Sequence, residues 1–224
     1  VPRRWLVSRV RGRFGGLLAG LLLACAQARC GDAFDILVYV APRIAAPTLD
    51  GRLDESDWQS APLVGGFLLY GKETKAHPPT FFRAAYDEQA LYFGVVCHEP
   101  HMDRFAPPSH ARDAHAIFGS EAIEVFIDPE HSHALYYQFG LDGAGSIYDS
   151  RGQDPVWNGS VRTAVGVEAD RWVLEAALPW RDLGVRPLPG HLLGFNVCRD
   201  RQIDGKQWNT TPWSHGEDLK VTVV

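Results

Sequence analysis

The sequence predicts an all-β domain, an antiparallel β-sandwich of jelly-roll type with at most short helical turns. Three observations predict it. Apolar residues recur with a period of two, as on a strand with one buried face, and no stretch sustains a 3.6-residue period over several turns. Turn pairs punctuate these runs at Asp50-Gly51, Asp142-Gly143, Arg151-Gly152, Pro189-Gly190 and Asp204-Gly205. The alternating runs number about ten, which suits two packed sheets.

In chain order, residues 1–30 stand apart from this pattern. They carry Arg3, Arg4, Arg9, Arg11, Arg13 and Arg29, no acid, the apolar run Leu17 to Ala24, and small residues at Ala26 and Ala28. That is the order of a secretory signal peptide, and the apolar run is too short for an ordinary membrane span. Two processing routes fit: cleavage after Ala26-Gln27-Ala28, or lipid attachment at Cys25, since Leu22-Leu23-Ala24-Cys25 resembles a bacterial lipobox. Either route exports the domain of residues 31–224 to the periplasm, the cell surface or the medium, with membrane contact only through a lipid on Cys25. Six arginines leave with the leader, so the 22 basic and 27 acidic side chains become 16 and 27, a formal −11 against −5. A body so acidic repels phosphate backbones, which excludes nucleic acid as a partner.

Strands are expected at Ile36 to Val40, Phe67 to Tyr70 and Phe81 to Asp87. In the next, Leu91, Phe93, Val95 and Cys97 share one face. Residues 98–119 are rich in histidine and proline and read as a loop. From Ala122 to Asp128, Ile123, Val125 and Ile127 face one way, and Glu124, Phe126 and Asp128 the other. Leu135 to Leu141 and Val161 to Val167 follow, then Trp172, Leu174, Ala176 and Leu178 against Val173, Glu175 and Ala177. Pro179 opens a helical turn to Leu183. Phe195 and Val197 oppose Asn196 and Cys198, and Leu219 to Val224 ends the chain. If Phe93 and Phe195 both face the core, Cys97 points inward and Cys198 outward. A Cys97–Cys198 disulfide and two separate thiols are both open.

Signatures of common enzymes are absent: no Gly-x-Ser-x-Gly elbow, phosphate-cradling glycine loop, His-Glu-x-x-His pair or dinucleotide fingerprint. Glu124 and Asp128 lie about 13 Å apart along their strand at ~3.3 Å per residue. That exceeds the ~5–9.5 Å that glycoside hydrolysis needs. Among nine histidines, His98-x-x-His101 and His131-x-His133 have ligand-like spacing but sit in polar loops. A structural calcium ion suits an exported acidic β-domain, with Asp128, Glu130, Asp142, Asp149 and Asp154 near turns.

Tryptophans carry the sharper signal. Trp172 alternates with leucines and belongs to the core, while Trp58 and Trp180 adjoin apolar edges. Trp157, Trp208 and Trp213 are flanked instead by polar and turn residues, in Val156-Trp157-Asn158-Gly159 and Gln207-Trp208-Asn209-Thr210-Thr211-Pro212-Trp213-Ser214. A sugar ring has an apolar C–H face and a hydroxyl rim, so its pocket needs flat rings beside carboxylates and amides. Those three rings with Glu124 supply that chemistry.

Five segments, in order, resemble the family 9 carbohydrate-binding modules: Pro47-Thr48-Leu49-Asp50-Gly51-Arg52-Leu53-Asp54-Glu55-Ser56-Asp57-Trp58, Ala85 to Phe93, Ser120 to Pro129, Glu175-Ala176-Ala177-Leu178-Pro179-Trp180 and Gly194-Phe195-Asn196-Val197. The resemblance runs from Pro47 to the C-terminus. It implies a β-sandwich that binds an oligo- or polysaccharide without cleaving it, often beside structural calcium. It also implies two aromatics sandwiching a terminal sugar: Phe118, where the family carries tryptophan, and Trp213, with Trp208 next. Glu124 corresponds to the glutamate that bonds sugar hydroxyls. Gln138-Phe139 matches the next strand, but Gly140 stands where an arginine is expected, and the last loop is short, Ser214 to Asp218. Two alternatives accompany this reading. Related sandwiches hold a b-type haem for electron transfer, for which Met102 beside His98 and His101 offers ligands. A structural or interaction sandwich without a sugar site is the other.

Overall fold

The structure, a computed structural model, describes residues 38–152, 154–210 and 219–223, with the backbone alone for 210 and 219–223. Residues 1–30, with Cys25, and also Ile36 and Trp213 lie outside the described residues. Among those residues no helix is long and apolar enough to cross a membrane.

Two sheets face each other. The larger has the order β1-β12-β10-β5-β6-β7, from Val38–Ala41, Leu219–Val223, Leu192–Arg201, Ala122–Asp128, Tyr137–Asp142 and Ile147–Arg151. On its β10 edge, β11 (Gln207–Thr210) pairs with the second half of the strand and with the two-residue β2 (Leu68–Leu69). The smaller sheet runs β3-β4-β9-β8, from Thr80–Tyr86, Ala90–His98, Arg171–Pro179 and Arg162–Val167. Pairing is antiparallel except between β1 and β12, which run parallel. Trp180–Leu183 forms the α-helical turn α1, with Pro179 as its N-cap. His98 ends β4, and the stretch 99–119 is loop except for the 3-10 turns Met102–Arg104 and His115–Gly119.

The alternation read from the sequence sorts core from surface. Ile123, Val125 and Ile127 from one sheet and Phe93, Trp172 and Leu174 from the other are buried between them. Phe195 stitches the two, 6.0 Å from Phe82 and 6.4 Å from Phe93 between ring centroids. Cys97 is buried here and Cys198 lies on the opposite side of its own sheet, so they form two thiols and no disulfide.

The smaller sheet is buried on both faces. Trp58, Ala61 and Ile44 cover its outer side, packing on Ala85, Tyr92 and Ala177. Glu175 holds this cover in place. Its carboxylate is buried and accepts from the backbone N–H groups of Asp50 (3.0 Å), Gly51 (2.8 Å) and Arg52 (3.1 Å) and from Trp58 Nε1 (3.1 Å). Gly51 has φ +84°, and its carbonyl lies so close to β8 that a Cβ on Gly166 would meet it at 2.1 Å. With that side closed, the outer face of the larger sheet is the one left for a ligand.

Candidate functional site

On that open face the strand register brings residues together from four strands. Cys198 lies opposite Glu124, Asn196 opposite Phe126, Phe126 opposite Gln138, and Asp200 opposite Trp208. Strand neighbours two apart share a face. One surface therefore carries Asn196, Cys198 and Asp200 from β10, Glu124 and Phe126 from β5, Gln138 from β6 and Trp208 from β11. A groove of about 590 Å³ opens there, within the usual span of small-molecule sites. Tyr70 and Trp208 wall one side; Phe126 and Tyr136 wall the other; Glu124, Asn196 and Asp200 form its polar floor. A second concavity, of about 680 Å³, shares Glu124, Asp200 and Trp208 and is bounded by Phe118, Gln138 and Lys206.

The rings are available for stacking. Trp208 is 48 % exposed and Tyr70 68 %, set edge to face at 6.2 Å. The backbone bond from Tyr70 N–H to the Trp208 carbonyl (2.8 Å) ties β2 to β11 beneath them. Lys206 Nζ stands 4.3 Å from the Trp208 ring centre, a cation–π contact. Opposite, Phe126 and Tyr136 lie 6.0 Å apart.

The floor is acidic. Gln138 Nε2 donates to Glu124 Oε2 at 2.7 Å. Burial raises the Glu124 carboxyl above the usual range, against the pull of the bond from Gln138. Asp200 is 1 % exposed. Burial first, and then the neighbouring Glu124 charge, push it up to about 8. Inward-facing residues fix the strand that presents it. Arg201 makes a two-pronged pair with buried Glu99 (2.6 and 2.9 Å), and Arg199 donates to the His98 carbonyl (3.0 Å). Glu121 accepts from the N–H groups of Gln202 (2.5 Å) and Ile203 (3.0 Å), holding the turn towards β11.

Of the six residues singled out in the sequence, four meet here: Glu124, Gln138, Trp208 and Phe118. The half-buried Phe118 ring packs edge-on against Tyr148 (4.9 Å) and lies over Gly140, where a Cβ would meet it at 2.9 Å. Glycine at the position expected to hold arginine thus makes room for an aromatic wall. Trp157 is a correction. Its ring packs 4.9 Å from Tyr137 and 6.1 Å from Phe139, whose side chains face the core, away from Gln138. The polar neighbours that suggested a binding role are engaged elsewhere: Arg112 bonds Asn158 (2.5 Å) and the Gly159 carbonyl (3.0 Å). Trp213 lies outside the described residues. Sequence reasoning missed Asp200, Tyr70, Tyr136 and Lys206. The alternation Asn196, Cys198 extends to Asp200, so that residue was within reach; no period marks the others.

Metal and haem readings meet other geometry. Among the described residues no three His, Cys, Asp or Glu side chains gather as a group able to hold a metal ion. The carboxylates suggested for calcium mostly close turns: Asp142 accepts from Ser146 N–H (2.8 Å), Asp128 from His133 N–H (2.6 Å) and Asp154 from Val156 N–H (3.0 Å). Asp149 pairs with Arg112. Met102 packs against the core, and His101 Nε2 lies 3.2 Å from Asp204.

The β-sandwich with one open, aromatic-lined face is that of a non-catalytic carbohydrate-binding module. The chain belongs to the carbohydrate family 9 binding domain-like family, whose pattern matches residues 49–219. Solved structures share the fold. A family 9 carbohydrate-binding module from Caldicellulosiruptor kristjanssonii in complex with cellotriose superposes with a TM-score of 0.63 at 14% identity, over 83% of this chain and 93% of that one. A second structure from that organism, in complex with glucose, gives 0.64 at 12% identity, over 84% and 95%. A putative carbohydrate-binding protein from Bacteroides uniformis gives 0.63 at 14% identity, over 84% and 98%. No curated protein matches the chain by sequence.

Proposed function

We propose that the groove on the larger sheet binds an oligosaccharide, with Trp208 stacking on the C–H face of one pyranose ring. Glu124, held by Gln138, accepts bonds from its hydroxyls; Tyr136 bounds the groove, and Phe118 bounds the concavity that shares Glu124 and Asp200 with it. The observation that carries this reading is the conjunction of an exposed indole with a buried carboxyl floor on one strand register. Stacking rewards apolar C–H surface and the floor rewards hydroxyls, a combination sugars satisfy. The complexes of the Caldicellulosiruptor modules with cellotriose and glucose make gluco-oligosaccharides the first ligands to test. The leader belongs to the same reading: it exports the domain to where such chains are met.

Isothermal titration with cello-, xylo- and galacto-oligosaccharides tests it. The parent binds at least one series, and Trp208→Ala and Glu124→Ala each weaken that binding about tenfold or more, ~1.4 kcal/mol. Parallel titrations with and without chelator test for structural calcium. If both variants bind as well as the parent, the site is elsewhere.

A further inference from the structure

Among the described residues, nothing donates a hydrogen bond to the Asp200 carboxyl. It is almost fully buried on the groove floor. A buried carboxyl without donors is costly unless it is protonated or a ligand supplies them. Its acidic neighbour is Glu124, diagonal to it across the β5–β10 pair, because Cys198 is the residue directly opposite Glu124. The other titratable groups facing this pair are Lys206 from the β10–β11 turn, His115 from the 3-10 turn, Glu121 at the head of β5, and the Cys198 thiol between the two acids.

We propose that Glu124 and Asp200 hold one proton between them and grip adjacent hydroxyls of a neutral sugar, Asp200 as donor and Glu124 as acceptor. The proposal rests on the carbohydrate reading above and deepens it. Two ionised carboxylates at this distance from water repel each other, and two neutral acids lack a strong acceptor; a single proton provides both roles. The bond from Gln138 Nε2 favours the ionised form of Glu124, which leaves the proton on Asp200. A hydroxyl of a vicinal diol both donates and accepts, so neighbouring hydroxyls match this donor–acceptor pair. A uronate would bring a third carboxylate to the same floor, so the pair selects uncharged sugars. In solution the proton belongs to the pair as a unit, and its loss is expected near the value of about 8 that burial gives Asp200.

Titrations with cellotriose between pH 6 and 9.5 test this on the parent, Asp200→Asn, Glu124→Gln and Cys198→Ser. Parent affinity is level near pH 6–7 and falls about tenfold by pH 9.5. Asp200→Asn, which keeps a donor but has no proton to lose, binds within about threefold of the parent at pH 7 and shows no slope. Glu124→Gln is weak throughout, and Cys198→Ser keeps the parental slope. A flat parent profile, a parental slope in Asp200→Asn, or loss of the slope in Cys198→Ser overturns the proton-sharing pair while leaving sugar binding intact. No binding at any pH by folded parent, to cellotriose or the other oligosaccharides, removes the carbohydrate reading and the pair with it. Should Asp200→Asn fail to fold, carboxyl-carbon NMR of the parent decides: Asp200 titrating in the ordinary carboxylate range contradicts the proposal, and release near pH 8 that moves up with bound sugar supports it.

Discussion

Folding takes up a proton at Asp200. Its pKa is raised to about 8 by burial and by Glu124, so the proton is retained in the folded state well above the ordinary range. The sign follows from linkage. A raised folded pKa gives stability that is present at low pH and is lost as pH rises from the ordinary carboxylate range through about 8. Thermal melts of parent and Asp200→Asn at pH 5 to 9 therefore diverge: the variant gains on the parent as pH rises. Parallel curves would show that this carboxyl is ionised in the fold. The neighbourhood of a tryptophan says less than its register does. Trp157 and Trp208 both sit among polar residues in the sequence, yet one ring fills the sandwich and the other lines the groove. Trp208 was legible because its loop is polar; Trp157 misled because its ring turns inward while Asn158 and Gly159 satisfy Arg112. Asp200 needed only two more residues of the alternation read from Phe195 to Cys198.

At the level of elements one buried acid, Glu175, joins two parts of the fold. Glu175 accepts four hydrogen bonds and thereby fastens the Asp50–Trp58 segment over the smaller sheet. Glu175 and its partners sit in two different segments that carry the family resemblance, so this set of bonds explains why both motifs belong to the fold. Glu175→Ala leaves buried donors unpaired and is expected to cost on the order of 3 kcal/mol in urea unfolding. A loss under about 1 kcal/mol would mean that the cover does not depend on this carboxylate. The long alternating strands β3, β4, β5, β9 and β10 were legible in the sequence because each has at least one buried face. β7 and β11 were not. Ile147–Arg151 and Gln207–Thr210 are short and polar, and become strands only by pairing with β6 and β10, which is tertiary information. The parallel pairing of β1 with β12 is a long-range contact of the same kind.

For the whole molecule, the decisive asymmetry is between two outer faces. The 44–61 segment seals one, and the other keeps an open groove with Trp208 above an acid pair. The sandwich and its family were legible because the motifs recur in order along the chain and the family pattern spans residues 49–219. Half of the groove was not, since Tyr70 and Tyr136 come to its walls from loop and strand ends with no shared period. The most direct test of the account is a two-dimensional NMR titration that follows the indole N–H signals of the six tryptophans after residue 30 as oligosaccharide is added. The Trp208 indole is expected to shift on saturation, while those of Trp58, Trp157, Trp172 and Trp180 stay in place. A still Trp208 beside a moving Trp157, in a protein that binds sugar, would contradict it.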